Sequence, residues 1–111
     1  MDQNSLPEIT VTELVELKKD NVDFQLVDVR EPSEYAISNL GGKLIPLADL
    51  PQRLGELEPQ KLIVVHCRSG GRSSRAQAFL LMQGFADVKN LKGGMTAWRS
   101  EIDPTLPLGP V

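Results

Sequence analysis

The sequence predicts an α/β fold with a central parallel sheet of about five strands and helices on both faces. Two patterns indicate this class. Short apolar runs that are typical of buried strands alternate with segments whose apolar residues recur at helical spacing. No internal repeat, low-complexity tract or linker interrupts the alternation, and a length of 111 residues fits a single domain, 1–111.

The first half of the chain predicts two helices and two strands. Thr10 and Glu13 have the spacing of a capping box, which places the start of a helix there. The apolar run over 24–29 is typical of a buried parallel strand. Pro32 suits the first turn of a short helix, and residues 43–45 form the next predicted strand.

The second half continues the same alternation. Leucines at helical spacing predict a helix over 47–57, and the β-branched run over 62–66 predicts the central strand. A second helix is expected over 74–83. A short strand over 88–91 and a last helix over 96–101 complete the pattern.

Both ends of the chain are predicted to be loosely held. The segment 1–7 is short and polar, and 104–111 contains three prolines, which exclude a continuing helix. The polar N-terminus also lacks the basic-then-apolar layout of a signal peptide.

Composition excludes several classes of protein. A net charge of −3 argues against binding to a nucleic-acid backbone. No apolar stretch approaches the ~20 residues that span a bilayer, so no membrane association is expected. The only cysteine, Cys67, excludes an intramolecular disulfide. Because a reactive thiol is best preserved in a reducing compartment, we expect a cytoplasmic location.

The cysteine opens a loop that is rich in glycine and arginine, between the central strand and the following helix. Ligand sites in open α/β sheets lie at such strand ends. A helix N-terminus, backbone N–H groups and nearby arginines each lower the pKa of a thiol, and two glycines let the chain curl around a small anion. Ser73 or Ser74 is a candidate cap for the helix. The loop residues are Cys67, Arg68, Ser69, Gly70, Gly71, Arg72 and Ser73.

The alternative interpretation of Cys67 is an inert buried cysteine at a strand end. The loop around it favours a reactive thiolate, for which two chemistries are open: hydrolysis of phosphate esters and transfer of sulfur. Cysteine phosphatases share five residues between cysteine and arginine, whereas four separate Cys67 from Arg72. The shorter loop suits a single sulfur atom on the cysteine better than a bound phosphate.

Three motifs, in the same order as in the family, resemble the rhodanese (sulfurtransferase) family. The loop 67–73 is similar to its active-site loop, 26–35 to its Asp-Val-Arg-x-x-x-Glu-Tyr signature, and 91–98 to its Gly-Gly-x-x-x-Trp ending. Asn39 stands where the common pattern has a histidine. Together with the ending Ile102-Asp103-Pro104, this resembles rhodanese domains fused to E1-like sulfur-carrier-activating enzymes.

The resemblance implies a rhodanese-like fold and a sulfurtransferase. Such an enzyme moves a sulfane sulfur from a donor such as thiosulfate to a thiophilic acceptor, through a persulfide on Cys67. It implies no cofactor and no metal. The partners would be a small anionic sulfur donor and, as a possibility, a protein donor or acceptor. Sulfur and donor would bind to Arg68, Ser69, Gly70, Gly71, Arg72 and Ser73.

Two further residues are candidates for ordering the site. Asp28 and Arg30 end a predicted strand, and the resemblance assigns Asp28 an ordering role; the alternative is a structural ion pair or a helix cap. Arg30 is expected to be tied to Glu34. His66 precedes Cys67, but neighbours on a strand point apart, so we expect a packing or hydrogen-bonding histidine rather than a general base.

Three other functions remain open at this stage. The first is a protein-partnered sulfur relay in cofactor biosynthesis or tRNA thiolation. The second is a cysteine-based phosphatase or arsenate reductase, and the third is a non-catalytic binding module with the same fold.

Overall fold

The structure, a computed structural model, describes residues 6–109. Its five strands form one sheet in which every neighbouring pair is parallel. In chain order they are β1 (Glu8–Ile9), β2 (Phe24–Asp28), β3 (Lys43–Leu44), β4 (Leu62–His66) and β5 (Val88–Leu91). The spatial order is β1-β5-β4-β2-β3, which confirms the predicted α/β class with its central strand at 62–66.

Helices connect the strands. They are α1 (Val11–Lys19), α2 (Pro32–Ile37), α3 (Gly71–Met82) and α4 (Gly94–Glu101). The predicted capping box starts α1: Thr10 Oγ1 accepts a hydrogen bond from the Glu13 N–H at 3.1 Å, and Glu13 Oε1 accepts one from the Thr10 N–H at 2.9 Å. None of these helices is long and apolar enough to cross a membrane.

Several elements of the structure differ from the prediction. The segment 47–57 forms two 3-10 helices, Leu47–Gln52 and Leu54–Glu56, rather than one α-helix, because Pro51 lies inside it and lacks the N–H that an α-helix needs. Helix α3 begins at Gly71, whereas the prediction places its start at residue 74. Strand β1 is an edge strand of two residues that the sequence pattern does not reveal.

The hydrophobic core lies on both faces of the sheet. Successive residues of β4 alternate between the two faces: Ile63 and Val65 belong to the cluster that includes α3, while Val64 packs in the cluster that includes α1. Cys67 belongs to the α3 side. The carboxyl ends of β2, β4 and β5 lie along one edge of the sheet, and the predicted site lies at that edge.

Candidate active site

Cys67 directly follows β4, and hydrogen-bond donors converge on its sulfur. The residue is 2% exposed. The Gly70 N–H lies 3.1 Å and the Ser73 N–H 3.4 Å from Sγ, and the Ser73 hydroxyl oxygen lies 3.3 Å from it. The loop therefore forms a cup of donors around the sulfur, as the sequence predicts.

The start of α3 explains this convergence. Gly70 adopts a φ of +120°, a conformation that residues with a Cβ rarely reach, and it is the N-cap of the helix. The predicted cap at Ser73 or Ser74 is wrong, because both residues lie inside the first turn of α3. The N–H groups of residues 71–73 have no acceptor within the helix, and the Ser73 N–H is directed at the sulfur instead.

Helix α4 supports the loop from the other side. The Met95 N–H donates to the Cys67 carbonyl at 3.0 Å, and the Thr96 N–H donates to the Arg68 carbonyl at 2.9 Å. This close approach requires glycine at position 94, where φ is +52° and a Cβ would lie against the Cys67 carbonyl oxygen and 2.8 Å from that of Arg68. Lys92 and Gly93 form the turn between β5 and α4, so this turn lies next to the active loop.

The Gly94→Ala variant is expected to lose about 2–4 kcal/mol of unfolding free energy, since its Cβ would meet rigid backbone at a positive φ. Urea denaturation measures the loss. Gly55→Ala is the matched control, because nothing lies within 4 Å of its new Cβ. Equal stabilities of the two variants would contradict this account of the loop.

Hydrogen bonds decide the acidity of the thiol. Burial alone would raise the pKa of Cys67, but hydrogen bonds from the Ser73 hydroxyl and N–H, together with those from neighbouring backbone N–H groups, outweigh it and hold the pKa below its ordinary value. The backbone N–H groups of Gly70 and Ser69 act in the same direction. The predicted lowering of the pKa is confirmed, with serine and backbone donors as its main sources rather than arginines.

Both loop arginines have partners other than the sulfur. Arg72 forms a bidentate pair with Glu34 of α2, with Nη1–Oε1 2.6 Å and Nη2–Oε2 3.0 Å. This pair lowers the pKa of Glu34 to about 2. Arg68 Nη1 donates to the carbonyl of Leu108 at 3.1 Å. Binding of an anionic donor by these arginines therefore stays a prediction.

Asp28 and Arg30 form a buried ion pair beneath the site, at 0% and 1% exposure. Arg30 Nη2 lies 2.7 Å and Nε 3.1 Å from Asp28 Oδ2, and Nη2 also donates to the Ser38 carbonyl at 2.8 Å. The pair joins the end of β2 to the segment after α2. The expected tie between Arg30 and Glu34 is wrong, since Glu34 binds Arg72.

His66 points away from Cys67, as the strand alternation predicts. Its side chain is fully buried, its Nε2 is 3.8 Å from Asp28 Oδ2, and neither ring nitrogen has a hydrogen-bond partner within residues 6–109. Burial lowers the pKa of His66 to about 4. It is thus a neutral packing residue at ordinary pH, with no geometry for base catalysis on the thiol.

The C-terminal segment packs against the rest of the domain. Leu108 is 7% exposed, its carbonyl accepts from Arg68, and Ser38 Oγ donates to the Pro107 carbonyl. At the other end, the Pro7 carbonyl accepts from Gln77 Nε2 at 2.6 Å. The prediction of loose tails is therefore wrong for residues 7 and 107–109, because their backbone carbonyls bind the folded domain; residues 1–5 and 110–111 lie outside the described part.

Asn90 is a site residue that the sequence analysis missed. It lies in β5, is 6% exposed, and its Oδ1 is 2.6 Å from Ser73 Oγ. Its Nδ2 donates to the Gly70 carbonyl at 3.3 Å. No local signal marks it, because a single asparagine within a short strand matches no site motif.

The fold and the site define an α/β protein with a cysteine held in a cup of hydrogen-bond donors at a strand end. A family model described as a rhodanese-like domain matches residues 10–101. The chain belongs to the rhodanese-like family, as its motifs indicate.

Individual relatives agree with this assignment. A sulfurtransferase of Allochromatium vinosum is 39% identical over 92 residues, which cover 82% of this chain and 86% of that protein. The crystal structure of a rhodanese-like domain protein from Staphylococcus aureus superposes with a TM-score of 0.81 at 30% identity, covering 95% of this chain and 100% of that one.

Other relatives are much longer than this chain. The chloroplastic rhodanese-like/PpiC domain-containing protein 12 of Arabidopsis thaliana is 37% identical over 96% of the chain, which spans 38% of that protein. The adenylyltransferase and sulfurtransferase MOCS3-2 of Zea mays is 35% identical over 95% of the chain, which spans 24% of it. The resemblance to rhodanese domains in larger enzymes is thereby supported.

Proposed function

We propose that the protein is a sulfurtransferase that carries a sulfane sulfur as a persulfide on Cys67. The thiolate attacks the outer sulfur of a donor such as thiosulfate. A new S–S bond forms on Cys67 while the donor's own S–S bond breaks, and its electron pair leaves with sulfite. No proton moves in this step, so a general base beside the thiol is not required.

The second step returns the enzyme to its starting state. A thiophilic acceptor, cyanide in an assay or a thiol in the cell, attacks the outer sulfur and takes it. The S–S bond breaks, and its electron pair stays on Cys67 Sγ as the thiolate. Sulfur, electrons and charge balance over the two steps without a redox partner or a metal.

The convergence of donors on Cys67 Sγ carries this proposal. The Gly70 and Ser73 N–H groups stabilise negative charge on the sulfur that attacks. In the persulfide the charge moves to the outer sulfur. The N–H groups of Gly71 and Arg72, which have no acceptor within α3, are suited to hold it there.

The contacts of Arg68 and Arg72 indicate which class of sulfur donor the protein uses. Arg72 is neutralised by Glu34, and Arg68 binds carbonyls of the C-terminal segment. This arrangement disfavours phosphate, whose binding in a cysteine phosphatase depends on a guanidinium. It favours a donor whose recognition depends less on charge, and we propose a protein-bound persulfide as the physiological donor. A reducing compartment, the cytoplasm, suits the thiol.

Steady-state kinetics test the function. With thiosulfate and cyanide varied together, the two-step cycle predicts parallel double-reciprocal lines. A cysteine desulfurase offered as the donor is expected to load Cys67 faster than thiosulfate does. Failure of both donors, or hydrolysis of an aryl phosphate that depends on Cys67, would contradict the proposal.

The Glu34→Gln variant is expected to use thiosulfate better, with kcat/KM raised roughly threefold to tenfold, because it leaves Arg72 without its counter-charge at the cup. Glu56→Gln is the matched control. Glu56 also forms two hydrogen bonds with an arginine, Arg53, and this pair lies away from the site. Equal thiosulfate kinetics in the two variants would contradict a role for Glu34 in donor choice.

A further inference from the structure

Ser73 and Asn90 form a buried hydrogen-bonded set beneath Cys67. Ser73 is fully buried and Asn90 is 6% exposed. The Ser73 oxygen lies 2.6 Å from Asn90 Oδ1 and 3.3 Å from Cys67 Sγ. One hydroxyl group therefore lies between the reactive sulfur and an amide oxygen.

The orientation of the Asn90 amide follows from its second contact. Nδ2 lies 3.3 Å from the Gly70 carbonyl oxygen, to which it donates. A flipped amide would place oxygen against oxygen there and lose that bond. Oδ1 therefore faces Ser73, and as an oxygen it can only accept.

A serine hydroxyl has a single proton, so Asn90 Oδ1 and an ionised Cys67 cannot both accept a full-strength hydrogen bond from Ser73. While the cysteine is a thiol, its S–H can donate to Ser73 Oγ, and the Ser73 proton is directed to Oδ1. When the cysteine ionises, the proton turns to Sγ. Oδ1 is then left buried without a donor, which costs free energy.

We propose that Asn90 is a positioning residue that competes with the Cys67 sulfur for the Ser73 proton and so disfavours the thiolate relative to the thiol and the persulfide. In the persulfide, Sγ is bonded to two heavy atoms and the charge lies on the outer sulfur, so the proton returns to Oδ1. Asn90 thus favours the sulfur-loaded state. This consequence rests on the proposed function, whereas the competition itself does not.

The charged groups around the loop do not interfere with the titration of the Cys67 thiol. His66, on β4, has a pKa lowered to about 4, and Glu34, on α2, has one lowered to about 2, both by the causes given above. The pair with Glu34 raises the pKa of Arg72, so this guanidinium keeps its charge. The buried pair Asp28–Arg30 lies at the end of β2.

A double-mutant cycle tests the proposal, with Asn90→Ala and Ser73→Ala, singly and together. The readout is the thiolate absorbance against pH, with neither donor nor acceptor present; because Cys67 is the only cysteine, no other thiol contributes to the signal. Asn90→Ala is expected to raise the thiolate fraction below the midpoint roughly threefold to tenfold. In the Ser73→Ala background it is expected to change nothing.

Asn90→Val serves as a second variant, since it suits a strand and also lacks the acceptor. Circular dichroism shows which variants fold. An unchanged or lowered thiolate fraction in the folded Asn90 variants would overturn the proposal, and so would an equal change in both Ser73 backgrounds. Absence of sulfurtransferase activity would not change the result of this titration. The proposed role of Asn90 and the proposed function can therefore fail independently of each other.

Discussion

The Cys67→Ser variant is expected to keep its fold and lose sulfur transfer by at least about a thousandfold. A serine hydroxyl does not ionise near neutral pH, and the donors around Sγ stabilise an anion that serine does not form. Thiosulfate:cyanide turnover measures the loss, with circular dichroism as a check on the fold.

The exposed Ser74 provides a control for this substitution. Ser74 lies in the first turn of α3 with its side chain away from the sulfur, so Ser74→Ala is expected to retain activity within about twofold, as ordinary surface substitutions do. Activity of Cys67→Ser within tenfold of the wild type would mean that another group performs the chemistry.

The second large effect is on stability. Asp28→Asn is expected to lower the free energy of unfolding by about 3–5 kcal/mol, because it leaves the Arg30 guanidinium buried without a counter-charge. Urea denaturation of the variant and the wild type measures the change.

A paired substitution separates charge from packing at this position. Asp28→Asn combined with Arg30→Met removes both charges, and it is expected to be more stable than Asp28→Asn alone. Glu56→Gln, which breaks an arginine pair on the surface, is expected to change stability little. A loss in Asp28→Asn no greater than in Glu56→Gln would contradict a structural role for the buried pair.

The elements with strong local patterns could be predicted from the sequence. The apolar run of β4 and the capping box of α1 depend on neighbouring residues, so a single sequence reveals them. The two residues of β1 form a strand only because β5 pairs with them, and no local pattern records that pairing. The start of α3 was misplaced because serine is the commoner cap, whereas here Gly70 precedes a turn whose N–H groups face a sulfur.

In the candidate site, too, residues that are neighbours in the sequence could be predicted, whereas partners from distant parts of the chain could not. Cys67 and its loop are contiguous, so the sequence identifies them directly. The partners of the loop arginines are distant in the chain: Glu34 lies 38 residues from Arg72, and Leu108 lies 40 residues from Arg68. Asn90 reaches the site only through the pairing of β5 with β4. Such contacts depend on the tertiary fold, which composition and spacing do not encode locally.

The most direct test of the central claim is the intact mass of the protein after incubation with a sulfur donor under non-reducing conditions. We predict a gain of one sulfur atom (~32 Da) on the wild type, removed by cyanide and absent from Cys67→Ser, as covalent catalysis at this residue requires. No gain from thiosulfate or from a cysteine desulfurase, or an equal gain on Cys67→Ser, would contradict a persulfide at Cys67.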